Sequence, residues 1–234
     1  MKILVACEES QRVCIAFREK GHEAYSNDII DCSGKHPEWH IKRDALELIN
    51  GNVTFYTMDG TKHTINGEWD MIIAFPPCTY LTVSGNRWFN EKKYGEKAIT
   101  RKALRKKAAD FFMSFVKANC PKIAVENPIG IMSTLYQKPS QIIQPWQFGH
   151  PYTKSTCLWL KGVPKIKPTT ILEKPKNGWN NQQFTKDGRY GGFGGTWGCK
   201  TTDGKWLKWG DPKVSKERSK TFPGIAKAMA DQWG

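Results

Sequence analysis

Residues 71–75, Met-Ile-Ile-Ala-Phe, are apolar without a break and are stopped by Pro76 and Pro77. A strand with one wet face alternates apolar and polar residues, so an unbroken apolar run calls for cover on both faces. A parallel sheet between two layers of helices meets that demand, and the remaining segments fit it. "KILVAC" is another apolar run, ending at the polar turn "EES"; "QRVCIAFREKG" then sets Val13, Ile15, Ala16 and Phe17 among charges before Gly21, which predicts strand, turn, helix. "HEAYSNDI" predicts a strand ending at Asp28, and "HIKRDALELI" a short extended piece around Ile41 that ends near Asp44. The Asp-Gly of "MDGT" predicts a hairpin. In "AITRKALRKKAADFFMSFVKANC", Leu104, Ala108, Phe111, Phe112 and Phe115 share a helical stripe away from Arg101, Lys102, Arg105 and Lys106, and "KIAVENP" repeats the pattern of strand and polar turn. The expected fold is α/β, a doubly wound Rossmann-like parallel sheet, and 234 residues suffice for one such core with a small appendage.

Such sheets bind ligands beyond the carboxyl ends of their strands. In order, those ends carry Cys7 and Glu8; Asp28; Asp44; Pro76, Pro77 and Cys78; and Glu126, Asn127 and Pro128. An acid at the end of the second strand suits ribose hydroxyls, which makes Asp28 a candidate cofactor ligand, although Asp there also serves as a turn cap. The first turn lacks G-x-G-x-x-G, which disfavours a dinucleotide and leaves a cofactor without pyrophosphate, such as S-adenosylmethionine. Cys78 reads either as a packed thiol or as a nucleophile, and Glu126 either as a helix N-cap or as an acid acting with it. Pro76 and Pro77 stiffen the corner on either reading.

A formal net charge of +14 favours a polyanionic partner over a basic surface kept for solubility. No run approaches the roughly 20 apolar residues that span a bilayer. The start "MKILVACEES" turns acidic and polar too soon for a signal, so no membrane association and a cytoplasmic location are expected. The seven cysteines contain no C-x-x-C pair and are odd in number, which fits reduced thiols rather than a disulfide framework or zinc site. Pro37 lies between His36 and His40, the one close histidine pair, and no metal is expected.

"PPCTYLTVSG" resembles the Pro-Cys motif of the cytosine carbon-5 DNA methyltransferases, with Thr82 and Ser84-Gly85 after the cysteine, and "VENP" resembles the Glu-Asn element of that family. Order and separation agree, and "YSNDI" and "RSKTFPGIAKAMADQW" resemble the family's second-strand acid and closing helix. The resemblance covers residues 1–160 and the final helix, as in a compact, phage-like member. It implies a Rossmann-like methyltransferase sheet, S-adenosylmethionine as cofactor, and DNA as partner with the target cytosine flipped or single-stranded. It also implies Cys78 as nucleophile and Glu126 as the acid on the base. Cofactor contacts are expected from Cys7, Glu8, Ser10, Asp28, Ile29, Asp44, Ala45, Phe75 and Pro77. Substrate contacts are expected from Pro76, Asn127, Thr82, Ser84, Arg87, Trp88, Arg101, Arg105, Lys154 and Thr156. Two departures stand out: "ACEESQ" replaces the glycine-containing first turn, and no Gln-x-Arg-x-Arg element is visible, so Lys154 in "YTKSTCLWL" stands in for its arginine.

The chemistry explains the residue types. Carbon 5 of cytosine is too electron-poor to attack a methyl sulfonium; a thiolate added to carbon 6 makes it enamine-like, and an acid at ring nitrogen 3 steadies the charge. A thiol also needs a nearby cation to ionise, for which Arg87 and Lys154 are candidates. A base within a duplex is out of reach, so residues 79–107 read as a mobile loop leading into a basic helix, with Trp88 or Phe89 filling the vacated stack. Residues 161–216 are rich in Gly, Trp and Lys, which suits either a reduced target-recognition element or a glycine-rich insertion, and the short chain leaves room for a separate specificity partner. Residues 217–234 return the chain to the catalytic unit as a helix. The rival readings are a pyrimidine-modifying transferase acting on RNA or a free nucleotide, an amino-methyltransferase, and a non-catalytic DNA-binding module.

Overall fold

The computed structural model describes residues 1–174 and 212–234. In chain order the elements are β1 (Lys2–Ala6), α1 (Arg12–Glu19), β2 (Glu23–Asp28), β3 (His40–Lys42), β4 (Val53–Tyr56), β5 (Lys62–Ile65), β6 (Met71–Ala74), α2 (Glu91–Tyr94), α3 (Glu96–Val116), β7 (Ile123–Pro128), α4 (Met132–Leu135), β8 (Gln141–Ile143), β9 (Thr156–Lys161), α5 (Pro212–Ser219) and α6 (Pro223–Trp233). Seven strands form one sheet in the order β3-β2-β1-β6-β7-β9-β8. Strands β3, β2, β1, β6 and β7 run parallel, while β9 is antiparallel to both β7 and β8. This is a mostly parallel, Rossmann-like sheet, with one reversed strand inserted next to the edge.

Its core has two halves because successive side chains of a strand point to opposite faces. Leu4, Ala6, Ile72, Ala74, Ile123 and Val125 face Phe112 and Phe115 of α3, together with Phe55, Ile65 and Trp69. Ile3, Val5, Met71, Ile73 and Ala124 face Val13 and Phe17 of α1 and Ile225, Ala226 and Met229 of α6. The central strands are therefore apolar at every position. Each fully buried phenylalanine is worth about 3–5 kcal/mol against truncation to alanine.

Three features depart from the expected all-parallel sheet. The hairpin β4–β5 forms as its Asp-Gly turn implies, but as a separate two-stranded ribbon covering the α3 face. Strand β9 is reversed, because the connection from β8 returns it alongside β7 in the opposite sense. The helical stripe of α3 buries Phe112 and Phe115, with Leu104 and Phe111 only partly covered. Of the 161–216 segment, residues 162–174 run along the sheet unit: Ile166 is buried and its amide donates to Gln141 Oε1 at 2.9 Å, and Phe148 and Thr170 form a bridge. The Gly- and Trp-rich residues 175–211 lie outside the described residues.

Candidate active site

Two prolines end β6 and turn the chain so that Cys78 stands exposed just past the sheet. The Cys78 carbonyl accepts the amides of Leu81 and Thr82 at 2.9 and 3.0 Å, which closes the turn behind it. The neighbouring strand β7 fixes the corner from the side: buried Asn127 donates from Nδ2 to the Pro76 carbonyl at 2.7 Å. Farther along, Thr82 and Gly130 form an antiparallel bridge, the Ile131 amide donates to the Leu81 carbonyl at 2.8 Å, and that of Val83 to Ile129 at 3.2 Å. A Cβ on Gly130 would lie 2.2 Å from the Leu81 oxygen, so only glycine permits this approach. The loops after β6 and β7 are thus one unit.

Glu126 lies within β7, two residues before its end. A residue inside a strand does not cap a helix, so the N-cap alternative is removed. Its Oε1 is buried and has no hydrogen-bond partner, as is Asn127 Oδ1. Burial pushes the Glu126 carboxyl up from its ordinary value, and Lys154 pulls it partly back. Burial also raises the Cys78 thiol, with a further rise from Glu126 and an opposing pull from Lys154. The Lys154 ammonium is lowered by burial and held up by Glu126 and Cys78. The thiol therefore responds to both the carboxyl and the ammonium, and the ammonium to both of them.

Lys154 reaches this place through contacts that the sequence does not signal. Its amide donates to Gln144 Oε1 at 3.0 Å, and its Nζ donates to the Arg218 carbonyl, also at 3.0 Å, in the segment leading to α6. Thr156, expected on the substrate, is buried and donates from Oγ1 to the Lys154 carbonyl at 3.1 Å. A second unforeseen neighbour is Cys157, paired across the sheet with Asn127 and raised to about 11 by burial and by Glu126.

The ends of β1, β2 and β3 form the other half of the rim. Cys7 adopts a left-handed backbone, φ 59°, so the turn takes a conformation usually reserved for glycine although "ACEESQ" supplies none. Burial, Asp28 and Asp44 all raise the Cys7 thiol, which places these three side chains near one another. Asp28 accepts the Ile29 amide at 2.7 Å through Oδ1, and burial raises its carboxyl; Ile29 beside it is 72% exposed. Asp44 accepts the Leu46 amide at 2.9 Å, next to buried Ala45. Glu8 spends its carboxylate on the first turn of α1, accepting from Val13 at 2.6 Å and Cys14 at 3.2 Å, and is buried with Ser10. Both Glu9 oxygens are buried without a hydrogen-bond partner, with Lys216 Nζ 3.4 Å from Oε2. Phe75 and Pro77 flank the corner between the two halves.

Arg101 and Arg105 turn toward the Cys78 loop. Arg101 donates to the Thr79 carbonyl at 3.2 Å, and Arg105 donates to that of Tyr80 at 2.9 Å and to Asn86 Oδ1 at 2.7 Å. Phe89 lies beneath them, its ring centre 3.3 Å from the Arg105 guanidinium carbon. Trp88 is 42% exposed, with Arg87 over its ring, and Ser84 pairs with Thr82 at 3.3 Å. Among the described residues, no group of three or more His, Cys, Asp or Glu is arranged to hold a metal, and no helix is long and apolar enough to cross a membrane.

No protein-family model matches the chain, and a search of curated proteins also finds no match. Among solved structures it is similar to a "putative DNA modification methyltransferase encoded within prophage" from E. coli, at a TM-score of 0.42 and 13% identity, over 74% of this chain and 52% of that one. The chain spans about half the length of that neighbour.

Proposed function

We propose that this protein transfers a methyl group from S-adenosylmethionine to carbon 5 of cytosine in DNA, through a transient bond between the Cys78 sulfur and carbon 6. The observation that carries the reading is the buried, unpartnered Glu126 Oε1 in electrostatic contact with the Cys78 thiol and the Lys154 ammonium. An orphaned buried carboxyl costs stability unless a ligand completes it, and ring nitrogen 3 with the exocyclic amine of cytosine offers the complement.

Cys78 and Glu126 are both pushed up, so each holds its proton to higher pH than it would in water, and the carboxyl adds to the rise of the thiol. With the proton on sulfur the pair rests; with it on Glu126 the thiolate adds to carbon 6, and the carboxyl passes the proton to nitrogen 3 as the ring electrons shift toward carbon 5. Lys154 favours the thiolate by its charge. After carbon 5 has gained its substituent it loses its hydrogen as a proton to water, the sulfur–carbon bond breaks with its electrons returning to sulfur, nitrogen 3 gives its proton back to Glu126, and the aromatic ring returns. Cys78 leaves unchanged.

The β1–β3 rim suits the cofactor. Asp28 Oδ2 has no bond among the described residues and is available to ribose hydroxyls, exposed Ile29 offers an apolar face to adenine, and the Glu9 carboxylate, buried without a hydrogen bond and ion-paired with Lys216 at 3.4 Å, suits a cationic amino-acid group. Held there, S-adenosylmethionine would supply an electrophilic methyl group on a cationic sulfur. Incorporation of tritiated methyl into duplex DNA, single-stranded DNA, RNA and dCMP tests the proposal. The account expects label in DNA, lost with Cys78→Ser; label confined to RNA or dCMP, or full activity of the serine variant, overturns it.

A further inference from the structure

We infer that Arg101 and Arg105 are positioning residues for the nucleophile: a guanidinium brace that fixes the loop following Cys78, rather than contacts to DNA phosphates. The inference rests on the reading of Cys78 as nucleophile and adds to it a device that holds the sulfur in place. The two arginines sit at i and i+4 on α3, so they share one face of that helix. Their donors go to the two carbonyls immediately after Cys78, those of Thr79 and Tyr80, and Arg105 also holds Asn86. Both guanidinium groups lie over Phe89, and that of Arg101 also over Tyr80, 4.9 Å from its ring centre. Arg101 Nε is buried without a hydrogen-bond partner, which leaves only the terminal nitrogens of that guanidinium to choose between the Thr79 carbonyl and a phosphate.

The geometry is specific to arginine. A planar fork bonds a carbonyl while its face stacks on a ring, whereas a lysine ammonium does only the first. The 3-10 helix Val83–Phe89 is thus pinned by α3 on one side and by the loop after β7 on the other. The loop that carries Cys78 is held between two such anchors. Small displacements of a reacting atom cost large factors in rate, so the brace acts on the chemical step more than on binding.

The test uses Arg105→Lys, which keeps the charge, and Phe89→Leu, which removes the ring and no charge. Cys78 alkylation by iodoacetamide, located by peptide mass mapping, reads the loop directly and needs no methyl transfer. Both variants are expected to raise that rate about fivefold or more as the loop opens. At saturating DNA their single-turnover methylation is expected to fall about tenfold. DNA affinity and its dependence on salt stay as in the wild type. Unchanged alkylation with weaker DNA binding, and in Arg105→Gln a salt slope reduced by about one, marks a phosphate contact and overturns the brace. If the wild-type protein transfers no methyl group, the functional reading fails by itself while the alkylation result still decides the brace.

Discussion

Two acids at the rim, Glu8 and Glu126, have buried oxygens that the fold treats in opposite ways. After β1 the buried carboxyl of Glu8 accepts the Val13 and Cys14 amides and so stabilises the first turn of α1, as half-buried Asp28 and exposed Asp44 accept amides in their own turns. At the end of β7, Glu126 is buried with Oε1 unpartnered, facing a thiol and an ammonium. The first arrangement is how a fold makes a buried acid tolerable; the second is unfavourable until something docks against it. The difference separates Glu8, which holds a turn, from Glu126, whose oxygen awaits a partner; Glu9, buried after β1 without a hydrogen bond, resembles Glu126 in this respect.

The sharpest way to break that contrast is Glu126→Gln. Loss of the shared proton is expected to slow methyl transfer about 10²–10³-fold. It also changes the pH profile. On the proposed mechanism, wild-type activity is expected to need one proton on the pair: it climbs as pH passes the raised Glu126 value, levels, and falls above the raised thiol value. The glutamine variant keeps only the thiol, so its rate should go on climbing with pH; an identical profile in both proteins argues against proton sharing.

Gly130→Ala comes next. Its Cβ would collide with the Leu81 carbonyl and push the Cys78 loop off β7, so single-turnover rate should fall about tenfold at unchanged cofactor affinity. Full activity would mean that the two loops move independently. On the other half of the rim, Asp28→Asn is expected to weaken S-adenosylmethionine binding about tenfold by calorimetry while leaving Cys78 alkylation alone. Unaltered affinity would move the cofactor away from β2.

The smallest effect belongs to Glu8. Burial pushes its carboxyl from 4.5 to about 8 against the pull of the Val13 and Cys14 amides. A raised folded-state value means that this stabilisation is fully present below pH 4.5 and is lost as pH rises through about 8. Thermal melts of Glu8→Gln should therefore decline less over that range than those of the wild type, and equal slopes would assign the dependence elsewhere.

Much of the sheet was legible because its signals are local. Unbroken apolar runs such as residues 71–75 admit few placements, and α1 and α6 show their stripes within a few turns. Strand β8 left no such trace: three residues between Pro139 and Pro145 are too short for periodicity to register. Nor does a sequence state strand direction, and β9 is reversed only because of how the chain returns to β7. Cys78 and Glu126 were readable as motif and position. The destination of Arg101 and Arg105 was not, since basic residues on a helix face look alike whether they meet water, phosphate or a neighbouring carbonyl. Gln144 and the Arg218 carbonyl, which hold Lys154, are contacts between segments distant in sequence and carry no local signal.

The central claim is a covalent bond between Cys78 and a pyrimidine ring. Duplex DNA containing 5-fluorocytosine, incubated with the protein and S-adenosylmethionine, measures it directly, because fluorine at carbon 5 blocks the loss that would release the enzyme. The account predicts a denaturation-resistant complex that needs the cofactor, maps to Cys78 and is absent in Cys78→Ala. A complex that persists in that variant, or none from a wild-type protein that methylates DNA, would contradict it.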